Sequence, residues 1–186
     1  MAAHAIIAGV GMTDFGKFPE RGLKSLAGEA IRGALDDAGL RPDEIEAAYM
    51  GNAAAALITG QAMVAGQVIL RSLGVGRIPV VNVENACATS ATAFQQAERM
   101  IACGQYDVVL AAGFEKLFHK DKAKTFSVFM GAVVVEAKNL GVELVAENSG
   151  RFVILLPIAS RVTTALRSLN PPSPTLPAEG RGPEGE

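Results

Sequence analysis

Ile78-Pro79-Val80-Val81-Asn82-Val83-Glu84-Asn85-Ala86-Cys87-Ala88-Thr89-Ser90 contains the change of pattern that decides the fold. Residues 78–83 are rich in β-branched side chains, and Pro79 stands near the start of the run, where a strand tolerates proline. Residues 88–102 are helix formers and are closed by Gly104. A cysteine therefore lies between a strand and a helix, with only small residues directly after it.

The same alternation recurs on either side. Ala5 to Gly9 reads as a short buried strand, and Gly11, Thr13, Asp14 and Gly16 read as a loop. Leu23, Leu26, Ala27, Ala30, Ile31, Ala34, Leu35 and Ala38 recur at helical spacing and form one apolar face, ended by Gly39. Residues 45–50 read as a second strand, stopped by Gly51-Asn52. Residues 61–73 read as a helix, stopped by Gly74-Val75-Gly76. Residues 107–112 form a continuous apolar strand ended by Gly113. Strands that are apolar throughout are buried on both faces. The expected fold is α/β, with a mainly parallel, mixed sheet and helices on both faces, joined by right-handed crossovers. In such folds sites form at the carboxyl ends of the strands, which is where Cys87 falls.

Composition sets the outer limits. The chain has 186 residues, 49% of them hydrophobic, enough for one main domain with a buried core. A net charge of −2 gives no basic surplus, so no nucleic-acid partner is expected. No apolar run approaches the ~20 residues of a membrane span. The first residues lack the basic region and long apolar run of a secretory signal. Two cysteines make no disulfide framework, and two histidines with two cysteines give no metal-ligand spacing. A cytoplasmic location is the expectation.

At a helix N-terminus the free N–H groups and the helix dipole favour thiolate, the reactive form of cysteine. The small residues 88–92 leave room beside the sulfur, and the backbone N–H of Cys87 can help hold an oxyanion. The alternative from position alone is a structural cysteine, packed as a small hydrophobe. Glu84 and Glu115 read as strand-end carboxylates, with Glu115 and Lys116 a solvated pair. Gly9-Val10-Gly11 is not a dinucleotide fingerprint, since no helix follows directly.

The run Asn82 to Phe94 (Asn-Val-Glu-Asn-Ala-Cys-Ala-Thr-Ser-Ala-Thr-Ala-Phe) resembles the nucleophile motif of the thiolase superfamily. It is most similar to the sterol-carrier-protein-X-like branch, which includes acetyl-CoA acetyltransferases. Gly9-Val10-Gly11-Met12-Thr13, Ala34-Leu35-Asp36-Asp37-Ala38-Gly39-Leu40, Tyr49-Met50-Gly51-Asn52 and Ala111-Ala112-Gly113-Phe114-Glu115-Lys116 agree with it in the same order. The resemblance covers about residues 5–120. It implies acyl transfer through an acyl-cysteine on Cys87, with a coenzyme A thioester as substrate and no bound cofactor. It also implies lipid or sterol metabolism, and a homodimer.

The family builds its site from two halves, and the second brings a histidine in Gly-His-Pro and a cysteine in Cys-x-Gly. Neither motif occurs here. Cys103 precedes Gly104 and lies about 24 Å along the expected helix from Cys87, at 1.5 Å per residue, so it reads as structural. His4 and His119 read as solvated loop residues. Where relatives carry glycine two residues after Cys-Ala, this chain has Ser90, which adds bulk beside the nucleophile.

Residues 1–125 are therefore expected to form a thiolase-like N-terminal domain, and residues 126–165 a divergent continuation in which residues 142–146 and 152–158 each fit a short strand. Residues 166–186 read as a disordered tail, since five of the nine prolines lie in 171–186. The expectation is a truncated thiolase whose tail reflects a lost reading frame. It is either an acyl-CoA acyltransferase incomplete alone and completed by a chain supplying the second half, or a non-catalytic binding or assembly subunit.

Overall fold

The computed structural model describes residues 5–131 and the backbone of residues 163–168. The elements run β1 (Ala5–Gly11), α1 (Leu23–Ala38), β2 (Ala47–Gly51), α2 (Ala55–Thr59), α3 (Ala65–Ser72), β3 (Val80–Val83), α4 (Thr89–Ala102), β4 (Val108–Gly113), α5 (Lys122–Met130) and β5 (Thr163–Ser168).

These five strands form one mixed sheet in the order β1-β5-β4-β2-β3. β2 is parallel to both β3 and β4. β5 is antiparallel to β1 and to β4 and lies between them. All strands but β5 therefore point the same way, and their carboxyl ends share one edge.

The central strands explain their own sequence. Every residue of β2 and β4 is buried. Ala48, Met50, Leu110 and Ala112 face the layer of α1 and α3, with Ile31, Leu35, Ile69 and Leu70. Ala47, Tyr49, Val109 and Ala111 alternate to the other face, against Ala93, Ala97 and Ile101 of α4. Helices thus cover both faces, as the continuous apolar runs require. Leu110 is 1% exposed in the middle of this packing. Leu110→Ala is expected to cost about 2–5 kcal/mol, read as a lower denaturant midpoint at unchanged slope.

α1 matches its expected span, and Gly39 caps it in the left-handed region at φ 65°. The expected helix over 61–73 is α3, which begins only at Ala65, and a separate short helix, α2, precedes it. Gly60 (φ 79°) closes α2, and Val64 (φ 49°) opens α3. The seven residues Ala53 to Thr59 are small or apolar and carry no polar face to mark α2. α5 takes up part of the run left unassigned after residue 125. β5 extends three residues past 165, so the expectation of disorder fails for Leu166 and Arg167, whose backbone pairs on both sides, and for Ser168, which pairs with Ala5 of β1. Residues 142–146 and 152–158 lie outside the described residues. Among the described residues no helix is long and apolar enough to cross a membrane.

Candidate active site

The carboxyl ends of β2, β3 and β4 are tied together by a side chain the sequence did not single out. Asn52, directly after β2, donates its backbone N–H to Val83 O of β3 at 3.1 Å. Its Nδ2 donates to Phe114 O, just past β4, at 2.6 Å. Glu115 completes the tie. Its Oε2 accepts from the N–H groups of Ala53 and Ala54 at 3.2 and 3.0 Å, and its Oε1 accepts from Asn52 Nδ2 at 3.3 Å. Glu115 is thus not half of a solvated pair with Lys116. The Lys116 ammonium donates instead to the carbonyls of Pro19 and Arg21, bracing the segment before α1. A half-buried carboxylate at this edge gains more from several N–H donors than from one mobile ammonium.

Cys87 lies beside this tie. It sits in a single 3₁₀ turn, Ala86–Ala88, that runs directly into α4, and its side chain is exposed. The sequence expectation of a cysteine at a strand-to-helix turn holds in its position. The turn itself is strained, because Ala86 has φ 44°, a left-handed conformation that costs a non-glycine residue roughly 1–2 kcal/mol. Strain of this kind persists only where neighbours over-determine it. Here they are Glu84 and Thr89. Glu84 Oε1 accepts from Ala86 N at 2.6 Å. Thr89 Oγ1 accepts from Asn85 N at 2.9 Å and donates to Ala86 O at 2.8 Å. Asn85 Nδ2 donates to Thr92 Oγ1 at 3.0 Å.

Thr89 is 5% exposed, so its hydroxyl is shielded from water, whereas Glu84, Asn85 and Ala86 are exposed. Thr89→Val keeps the shape but leaves Asn85 N and Ala86 O without their partner. The expected cost is about 1–3 kcal/mol, with altered alkylation kinetics of Cys87 by iodoacetamide. Gly51 makes the clamp possible, since a Cβ there would meet Thr89 Cγ2 at 2.9 Å.

Two hollows open at Cys87. The smaller, about 20 Å³, is lined by Asn52, Ala53, Ala86, Cys87, Ser90 and Glu115, and has room for one small atom group. Ser90 thus does place its bulk next to the sulfur, as its sequence position suggests. The larger, about 730 Å³, runs from Cys87 and Ala86 past Phe114 to Phe15 and Phe18 after β1 and to α5. Cys103 stands at the other end of α4, its Sγ donating to Met100 O. His119 caps the approach to α5, its Nδ1 accepting from Asp121 N at 3.1 Å, and it lines neither hollow. His4 lies outside the described residues. Among the described residues no group of three or more His, Cys, Asp or Glu could hold a metal ion.

The structure thus places Cys87 at a strained strand-to-helix turn, on the carboxyl edge of a mixed α/β sheet. Residues 5–148 match the family model of the thiolase N-terminal domain, and the chain belongs to that family. It is 40% identical over 111 residues to an acetyl-CoA acetyltransferase of Methanocaldococcus jannaschii, covering 60% of this chain and 28% of that one. It is 36% identical over 129 residues to sterol carrier protein 2 of Gallus gallus, covering 68% and 23%. The chain thus matches about a quarter of the length of these curated relatives. The fold also matches OleA of Xanthomonas campestris, solved with bound lauric acid and lauroyl-CoA, at a TM-score of 0.62 and 13% identity, covering 90% of this chain and 57% of that one.

Proposed function

We propose that Cys87 is the nucleophile of a thiolase-type acyl transfer from a coenzyme A thioester. The single observation that carries this reading is the clamped turn that holds Cys87 at the foot of α4, facing both hollows. In the step proposed, the Cys87 thiolate attacks the thioester carbonyl. The oxyanion that forms is held by backbone N–H groups of the turn and the start of α4. The C–S bond to coenzyme A breaks, coenzyme A leaves as its thiolate, and the acyl group stays on Cys87 Sγ. A second acceptor, either a coenzyme A thiol or an acyl-CoA enolate, then takes the acyl group and returns Cys87 as thiolate.

We propose that the histidine and second cysteine that complete such sites in the family are supplied to Cys87 by a second half. We place the reaction in lipid or sterol metabolism and the protein in the cytoplasm, with no cofactor bound beyond the substrate. The pairing proposed is a homodimer or a complex with a chain supplying the second half. Support for pairing comes from β3, which is bonded on one side alone among the described residues and leaves Val81 41% exposed. The test is intact mass after incubation with an acyl-CoA. An adduct mapped to Cys87 supports the reading. A folded protein that stays unmodified, alone and with an added second-half chain, defeats it and leaves the alternative of a non-catalytic binding or assembly subunit.

A further inference from the structure

We propose that the outward face of α5, together with the lysines gathered around Phe118, docks on the surface of an anionic lipid bilayer. The proposal goes beyond acyl transfer and stands without it. Lys17, Lys120, Lys122, Lys124, Phe126 and Met130 carry it, and none of them lines either hollow at Cys87.

Charge is the first argument. The whole chain has a net charge of −2, yet residues 116–124 hold four lysines and one acid, Asp121. Asp121 is spent on capping α5, its Oδ1 accepting from Ala123 N at 2.9 Å. Lys116 is turned to the carbonyls of Pro19 and Arg21. Lys120, Lys122 and Lys124 are exposed, and Lys17, also exposed, joins them from the segment after β1. The ammonium groups of Lys17 and Lys122 lie 5.6 and 4.7 Å from the centre of the same Phe118 ring. The ring thus draws together two charges that repel each other. Nothing neutralises them: among the described residues every ion pair belongs to Arg21 or Arg41. Asp14 and Glu20, close to Lys17 in sequence, form no ion pair with it.

The apolar face of α5 is the second argument. Val128 is the residue this helix buries. Lys122, Phe126, Phe129 and Met130 recur at spacings of three and four residues, on a stripe that Val128 does not share. Phe126 is 66% exposed and Met130 41%. A helix that hides its valine and turns phenylalanine and methionine outward presents an apolar stripe to whatever covers it.

Lysine and phenylalanine together choose the occupant. A bilayer surface takes both at once, since flexible lysine stems carry their ammonium groups to lipid phosphates while phenylalanine enters the boundary of the acyl chains. A soluble acidic protein would satisfy the lysines and set its carboxylates against Phe126.

The experiment is co-sedimentation of the whole chain with vesicles of phosphatidylcholine alone and of phosphatidylcholine mixed equally with phosphatidylglycerol. The expected result is binding to the anionic vesicles roughly a hundredfold tighter than to the neutral ones, weakening as salt is raised. One lysine near an anionic surface is worth roughly fivefold, so Lys17→Gln, Lys122→Gln and Lys124→Gln combined should weaken binding by roughly a hundredfold. Phe126→Ser should weaken it roughly tenfold. All four residues are exposed, and circular dichroism confirms that the variants fold. Arg99→Gln is the control, exposed in the last turn of α4, which leads away from the carboxyl edge, and it should leave binding unchanged. No binding, equal binding to the two kinds of vesicle, or a loss in Arg99→Gln as large as in the triple variant would overturn the proposal. So would binding to soluble polyglutamate as tight as to the anionic vesicles and unmoved by Phe126→Ser, which would assign the face to an acidic protein.

Discussion

Cys87→Ala is expected to abolish acyl-adduct formation entirely, while Cys103→Ala leaves it unchanged. The two cysteines are alike in exposure and in lacking a disulfide. They differ in where they sit on α4. Cys87 precedes its first turn, where N–H groups have no helical partner and the helix dipole is positive. Cys103 ends it, beside carbonyls, where the dipole is negative and its own S–H is spent on Met100 O. Only Cys87 lines the two hollows, so only Cys87 stands where a thioester lying in them can deliver its acyl group. An adduct that survives Cys87→Ala, or one mapped to Cys103, would remove the geometric basis of the proposed nucleophile.

The position of Cys87 was legible because three local patterns agree there: a β-branched run, small residues, and helix formers ended by Gly104. α1 was legible for a similar reason, since eight apolar positions at helical spacing and one glycine carry its whole description. Asn52 and Glu115 were not. Their role is to bind each other and backbone groups 61 to 63 residues away in sequence, and no local pattern encodes a carboxylate meeting a distant loop. β5 failed to register for the same reason of distance. Its sequence, Thr-Thr-Ala-Leu-Arg-Ser, lacks the apolar run of β2 and β4, and its place is fixed by pairing with β1 and β4 on either side.

Gly9 and Gly11 show a different kind of gap between sequence and structure. Their spacing invites a nucleotide-binding reading, and the absence of a following helix turns it away. Neither argument says what the glycines do. They are where α1 lies directly on β1. A Cβ at Gly9 would meet the backbone of Ala34 and Ala38 and the Ala38 methyl at 2.8 Å. One at Gly11 would meet the backbone of Ala30 and Ala34, and Gly33 C at 2.9 Å. All are closer than the 3.0 Å that real Cβ atoms respect. The complementary small residues on the helix, Ala30 and Ala34, are 3% and 0% exposed. Backbone meets backbone at this contact, so there is no flexible side chain to yield.

Gly11→Ala is therefore expected to destabilise the fold by about 3 kcal/mol or more, at the upper end of overpacking, because α1 must lift off the sheet to admit one methyl. Gly22→Ala is the control. Gly22 is exposed at the start of the same helix, and a Cβ there meets nothing within 4 Å. It should change stability by less than about 1 kcal/mol, the scale of exchanging one helix-capping residue for another. At roughly 1–3 kcal/mol per molar urea, the first variant should lose about 1–3 M in its unfolding midpoint and the second only a few tenths. The site should feel the first variant as well. Thr13 and Phe15 follow β1 by two and four residues, and Leu26, Ala27 and Ala30 come from α1, and all five line the hollow that opens at Cys87. Separating α1 from β1 moves one wall of that hollow against the other. Acyl-adduct formation at Cys87 should then slow in Gly11→Ala even at temperatures where the protein remains folded, and stay unchanged in Gly22→Ala. Equal stabilities for the two variants would mean that α1 and β1 are not in the backbone contact described.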